Sequence, residues 1–197
     1  MPTWSWAAAA AGERRVVVAY AAAPAASVAF FVNGQPRGVA NVGRESLAAR
    51  AKVPYEPGVL VAVALDSTGA RLANRSIVTA CAAARLELHV DREEMRADRG
   101  DLAYVSATVV DDAGRRVWAS TARVAFEVDG VAELAAIGSG DPQDPSSFRA
   151  GARAAFRGRC VAILRPGSAT AAPEAGDVRL TARAPGLGAA RIDLRVV

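Results

Sequence analysis

The stretch Gly138-Ser139-Gly140-Asp141-Pro142-Gln143-Asp144-Pro145, followed by Arg153-Ala154-Ala155-Phe156-Arg157-Gly158-Arg159-Cys160-Val161-Ala162-Ile163-Leu164, decides the fold. Its Gly, Asp and Pro residues make the first part an irregular loop, and the second part is an apolar strand. A long loop that delivers the chain into such a strand belongs to a β-domain.

Working outward, period-2 alternation dominates, and no window of about 11 residues carries a helical stripe. Val16/Val18/Tyr20, Val28/Phe30/Val32 and Val59/Val61/Val63/Leu65 mark three strands of a first domain. Asn33-Gly34 supplies the left-handed positions of a tight hairpin, and Asp66-Ser67-Thr68-Gly69 closes another turn that returns the chain through Ile77 to Cys81. Small residues at Ala82-Ala83-Ala84 then run into a fresh alternation, Leu86/Leu88/Val90. The expected domains are therefore residues 1–84 and 85–197. In the second, strands are expected at 102–110, 123–129, 131–137, 159–165, 178–183 and 189–196, and Pro166 to Gly176 reads as a flexible loop tip. Regular short strands separated by turns mean an all-β chain of two tandem immunoglobulin-like β-sandwich domains.

The wording of these segments carries a resemblance. "G-S-G-D-P-Q-D" followed by "R-A-A-F-R-G-R-C-V-A-I", with Ala97-Asp98-Arg99-Gly100-Asp101-Leu102-Ala103-Tyr104-Val105 and Val109-Val110-Asp111-Asp112-Ala113-Gly114 before it, resembles the last sandwich domain of family 2 glycoside hydrolases of the β-galactosidase type. Trp4-Ser5-Trp6, Ser27-Val28-Ala29-Phe30-Phe31-Val32-Asn33-Gly34 and Val53-Pro54-Tyr55-Glu56-Pro57-Gly58 resemble the sandwich that precedes it in those enzymes, just after the catalytic barrel. Thr3 stands where the family writes His, Ser139 where it often writes Asn, and Ala29-Phe30 where it writes Glu-Leu. The resemblance implies an accessory portion of a glycosidase: no catalytic residue in this chain, no cofactor, and the barrel of a parent enzyme as partner. An independent carbohydrate-binding module and an immunoglobulin-like surface or adhesion module are the alternatives.

Composition narrows the remaining classes. The formal charge is +4, yet only Lys52 is lysine, and the arginines are interspersed with acids. Nucleic-acid binders gather their basic residues on one face or stripe, so a nucleic-acid partner is not expected. Arg14-Arg15, Arg115-Arg116 and Arg157/Arg159 read as solvated strand edges. No run reaches the roughly 20 apolar residues that a helix needs to cross a bilayer, and Ala7 to Ala11 is too short, so no membrane partner is expected. No basic segment opens the chain as a secretory signal would; the compartment is that of the parent, periplasmic or extracellular if it is exported and cytoplasmic otherwise. Cys81 and Cys160 read as buried free thiols, one per domain.

The candidate sites are few. Trp4 and Trp6, two apart, project from one face if the segment is extended, and serve either as a contact with a neighbouring domain or as a platform for sugar rings. A retaining glycosidase needs carboxylates about 5 to 5.5 Å apart. The only adjacent glutamates, Glu93 and Glu94, point to opposite faces of an extended strand and read as solvated. His89, the sole histidine, is expected to face solvent. Asp141 and Asp144 carry oxygen donors but lack the density of a calcium loop, so no metal is expected. Arg99-Gly100-Asp101 belongs to a turn before a strand, and Trp118 reads as a core or edge residue.

Overall fold

The computed structural model describes residues 3–6, 10–43, 45, 47–168 and 170–197. Ala7–Ala9 of the alanine run and Ala169 of the 166–176 loop lie outside the described residues. The described residues form fifteen strands in two compact units, Met1–Thr79 and Ala80–Val197. The chain is all-β, and each unit is sandwich-like, with its core between facing sheets.

In the first unit, β1 (Arg14–Tyr20) pairs antiparallel with β4 (Ala48–Pro54). β2 (Ser27–Val32), β3 (Gln35–Asn41), β5 (Val59–Leu65) and β6 (Arg71–Val78) make a second sheet in the order β3-β2-β5-β6. Alternation on β2 turns Val28, Phe30 and Val32 inward, where they cluster with Leu60, Ala49, Val53 and Tyr55. The Asn33-Gly34 hairpin forms with φ of 50° and 79°, the backbone that matches the twist of paired strands. Asn33 also binds across the neighbouring turn: its Oδ1 accepts from Val59 N at 2.8 Å and its Nδ2 donates to Pro57 O at 3.0 Å. A Cβ on Gly58 would lie 1.9 Å from Asn33 Oδ1, so only glycine allows this clamp.

Two strands face opposite to the simplest expectation; on β5, Leu60 and Ala62 pack on the core in place of Val59 and Val61. β1 forms, but Val17 and Ala19 pack on the core while Val16 and Tyr20 are 57% and 76% exposed. The register decides it, because Val17 and Ala19 pair with Ala51 and Ala49, whereas Val16 and Val18 pair with Lys52 and Arg50. Turning Val16 inward would bury the lysine and arginine beside it.

In the second unit, β7 (Arg85–Val90), β9 (Ala103–Val110), β11 (Ala132–Gly138) and β13 (Arg159–Pro166) form a sheet ordered β11-β13-β9-β7. β8 (Glu94–Met95), β10 (Arg123–Gly130), β12 (Ala152–Ala154), β14 (Gly176–Ala184) and β15 (Gly188–Val196) form the other, ordered β12-β10-β14-β15-β8. Between them lie Val105, Val109, Val124, Ile137, Leu164, Leu180 and their neighbours, all buried. Cys160 is free and buried among them, and that burial pushes its thiol up to about 12. Cys81 departs from expectation: it is free but exposed.

The Gly/Asp/Pro loop is ordered by a buried arginine. Arg153 on β12 is 2% exposed; its Nε lies 2.9 Å from Asp144 Oδ2, and its Nη1 donates to Ser146 O at 2.8 Å. The guanidinium also sits 4.9 Å from the centre of the Phe148 ring. In the 166–176 loop, Ser168 Oγ accepts from Thr170 N and Ala171 N.

Asp111, just beyond β9, is fully buried. Its Oδ2 accepts from Cys81 N at 2.9 Å, and its Oδ1 accepts from Ala113 N at 3.0 Å and Arg115 N at 2.8 Å. These bonds, that of Cys81 first, hold the carboxyl below its ordinary value.

Two predictions follow from the buried charges. Arg153→Met strands Asp144 without its cation and should lower stability by about 3 kcal/mol, whereas Arg149→Met, on an exposed neighbour, should change it by no more than about 0.5 kcal/mol; urea unfolding of both checks the difference. For Asp111 the folded-state pKa is depressed, so its contribution is complete above about pH 4 and is lost as pH falls through the folded value. Asp111→Asn should therefore be less stable at neutral pH, yet lose less on acidification below about pH 4. Parallel stability-against-pH curves for the two proteins would contradict this.

Candidate functional site

Residues 3–6 form no strand, and the two tryptophans part company. Trp4 is 1% exposed and belongs to the first unit's core. Its Nε1 donates to Glu56 O at 2.9 Å, which gives the buried indole N–H the partner it requires. Its ring meets Tyr55 edge-on, with centroids 5.2 Å apart and planes at 63°. Its own carbonyl accepts from Thr79 Oγ1 at 2.8 Å, and that same hydroxyl accepts from Gly58 N at 3.0 Å. Thr79 thereby ties the tryptophan segment, the Pro57-Gly58 turn and the end of β6 together.

Trp6 is 37% exposed. The Arg15 guanidinium carbon lies 5.0 Å from its ring, and Arg15 Nη2 pairs with Glu13 Oε1 at 2.9 Å. One indole is thus a core element and the other a half-open surface ring, and the two do not form one flat platform. Glu56, whose carbonyl holds Trp4, pairs through its carboxylate with Arg37. Thr79, Tyr55 and Arg37 were not singled out from sequence. Tyr55 between Pro54 and Pro57 was the available signal, since a rigid turn with one aromatic suits an anchor.

The other candidates stand apart from one another. Glu93, between β7 and β8, and Glu94, the first residue of β8, are exposed, and His89 is exposed on β7. Asp141 and Asp144 spend acceptor oxygens on Gln143 N and Ser146 N within their own loop, at 3.0 and 2.9 Å. Among the described residues no group of three or more His, Cys, Asp or Glu is placed to hold a metal ion. In the Arg99-Gly100-Asp101 tripeptide, Asp101 accepts from Arg96 N at 2.8 Å and Arg92 Nη1 at 3.0 Å, while Arg99 Nη2 donates to Glu133 Oε1 at 2.7 Å. Trp118 is half-buried beneath Arg116.

Residues 86–193 match the model of the glycoside hydrolase family 2 C-terminal domain 5. The chain belongs to that family. Residues 12–73 match a second family, described as a domain of unknown function, DUF4982. The β-galactosidase BoGH2A of Bacteroides ovatus is 31% identical over 160 residues, which is 81% of this chain and 18% of that enzyme. A glycosyl hydrolase family 2 member from Bacteroides cellulosilyticus has a similar structure, with a TM-score of 0.89 at 26% identity, over 99% of this chain and 24% of that one. A β-glucuronidase of family 2 shares the fold, with a TM-score of 0.83 at 23% identity, over 99% of this chain and 19% of that one. The chain thus spans a quarter or less of the length of these relatives.

For this family 2 chain the indole geometry gives separate expectations for the two rings. Trp4→Ala removes a fully enclosed aromatic and should cost about 3 to 5 kcal/mol. Trp6→Ala removes a half-exposed ring and one cation–π contact, and should cost no more than about 1 kcal/mol. Chemical denaturation of both variants checks this, and equal losses would contradict the placement.

Proposed function

We propose that this chain is a non-catalytic accessory portion of a family 2 glycoside hydrolase that acts on β-galactosides or related sugars, with the enzyme's catalytic barrel as its partner. The observation that carries the reading is coverage: nearly all of this chain, both units, superimposes on about a quarter of one family 2 enzyme. Glycoside hydrolysis needs an acid and a second carboxylate facing each other across a sugar. The acids described above serve other ends. Asp111, Asp101 and Asp144 accept backbone N–H groups inside turns, and Glu93 and Glu94 are exposed at the start of β8. In this reading the chain's work is mechanical: two rigid sandwiches that present fixed surfaces to a barrel.

The test has two arms. The isolated chain should turn over no nitrophenyl β-galactoside. A chimera of the B. ovatus relative, its matching segment replaced by this chain, should fold and retain turnover, while deletion of that segment should lower its melting temperature. Turnover by the isolated chain that vanishes on Glu94→Gln, or a deletion that leaves the relative's stability unchanged, would sink the reading.

A further inference from the structure

We propose that Arg116 and Arg159, set on either side of the Arg157-Gly158 hairpin tip, form a binding site for a carboxylate carried on a sugar chain, that is, for a uronate-bearing polysaccharide. The site is built from the backbone upward. Phe156 N donates to Arg159 O at 2.9 Å and Arg159 N to Phe156 O at 3.2 Å, closing a two-residue hairpin whose central residues have φ of 53° and 72°. Gly158 is buried against the segment that follows the Asp111 turn, and a Cβ there would lie 2.3 Å from Val117 O. Gly158 N donates to Ser120 O at 3.0 Å, and Gly158 O accepts from Val109 N at 2.9 Å. The hairpin tip and the 116–120 segment therefore hold fixed positions relative to each other.

The side chains are fixed next. The Arg116 guanidinium carbon lies 3.9 Å from the Trp118 ring centre, and its Nε donates to Arg157 O at 2.8 Å. Arg159 Nε donates to Thr108 Oγ1 at 3.2 Å on the outer face of β9. In both arginines the Nε is spent on the protein, which leaves the paired terminal NH2 groups, the end of the fork that matches a planar carboxylate. Of the acids in and beside the Asp111 turn, Glu87 pairs with Arg85 at 2.6 Å and Asp111 with Arg115 at 3.7 Å. Among the described residues neither Arg116 nor Arg159 takes part in an ion pair. Partial burial first, then the charges of Arg159 and Arg157, lower the proton affinity of Arg116. A bound anion relieves that repulsion, and among the described residues no carboxylate pairs with Arg116 or Arg159.

The extent of the cluster sets the ligand. A duplex nucleic acid engages a basic stripe, but several other arginines of this unit are matched to acids: Arg92 to Asp101, Arg99 to Glu133, Arg153 to Asp144, Arg179 to Asp193 and Arg195 to Asp177. Two guanidinium groups suit one oxyanion at a time. Half-buried Trp118 beneath Arg116 and half-buried Phe156 beneath Arg157 add apolar ring edges of the kind a pyranose packs on. That the carboxylate rides on a sugar rests on the accessory reading above; the oxyanion site rests on the arginine geometry alone.

Affinity electrophoresis of the full chain in gels holding polygalacturonate, neutral galactan or a duplex DNA oligonucleotide tests the proposal. Polygalacturonate should retard the chain in a salt-sensitive manner, and neutral galactan should not. Arg116→Gln and Arg159→Gln should each weaken that retardation by about tenfold, as expected for the loss of one charge-assisted contact. Arg71→Gln, the same charge change at an exposed position of the first unit, should leave it unaltered. Thermal melts confirm that each variant folds, and Arg159→Gln keeps the test open if Arg116→Gln does not. No retardation by polygalacturonate, equal weakening by Arg71→Gln, or DNA binding as strong as polygalacturonate binding overturns the proposal. If polygalacturonate fails while the chimera works, the inference falls alone. If the chimera fails while arginine-dependent retardation persists, the accessory reading falls and the oxyanion site stands.

Discussion

The buried carboxylate of Asp111 is the constraint from which the second unit is assembled. An ion without water needs its lone pairs met from within the chain, and here three backbone N–H groups meet them, from Cys81, Ala113 and Arg115. The first fastens the start of the unit to the end of β9. The other two shape the Asp111–Arg115 turn, so that Val117 N can bond back to Val109 O and the Val117 carbonyl comes to rest against Gly158. One charge thus holds the start of the unit and the turn, and the opposing hairpin rests against the segment that follows that turn. Low local dielectric strengthens each of these bonds and makes the loss of any one expensive, so the network behaves as a unit.

A second buried charge organises the opposite kind of segment. A loop from Ser139 to Gly151 has too little alternation to belong to a sheet, and its backbone polar groups need partners other than a ladder. Arg153 supplies a cation to Asp144 and a donor to Ser146 O, and its guanidinium packs on the Phe148 ring. Phe148 O in turn accepts from Ile137 N at 2.7 Å, which docks the loop on the end of β11.

These contacts explain which parts were legible in the sequence. The motif pieces are pairs that meet in space: Asn33 of the hairpin clamps the Pro57-Gly58 turn, and Asp144 of the Gly/Asp/Pro loop meets Arg153 of the following strand. Alternation and turn residues likewise marked β1, β2 and β5 of the first unit and the longer strands of the second, while β4 and the short β8 and β12 went unmarked. Orientation stayed hidden too. Val16-Val17-Val18 is apolar throughout, so its inward face is set only by the lysine and arginine of β4 that would be buried with the wrong choice. The spacing of Trp4 and Trp6 implies a shared face only in a strand, and residues 3–6 form none. Cys81 looked like a core residue among small apolar neighbours, but its role is carried by its backbone N–H, which no side-chain pattern records.

Charge was the least legible feature because a net value has no address. The surplus of +4 is a sum over arginines that the registers treat very differently. Arg179 and Asp193 face each other directly across β14 and β15, with Nε and Oδ1 2.6 Å apart, because the pairing of those strands puts them there. Exposed pairs of this kind contribute little to stability, typically less than about 1 kcal/mol. Their larger effect is on the field: each matched pair removes a source of long-range potential, and within a Debye length of about 8 to 10 Å only unmatched cations attract an anion. Arg116 and Arg159 are among the unmatched ones, because the Arg157-Gly158 hairpin and the returning segment after Asp111 bring cation beside cation, with backbone and hydroxyl oxygens as their partners in place of carboxylates. The same backbone contacts that close the sandwich therefore decide where its positive charge is concentrated.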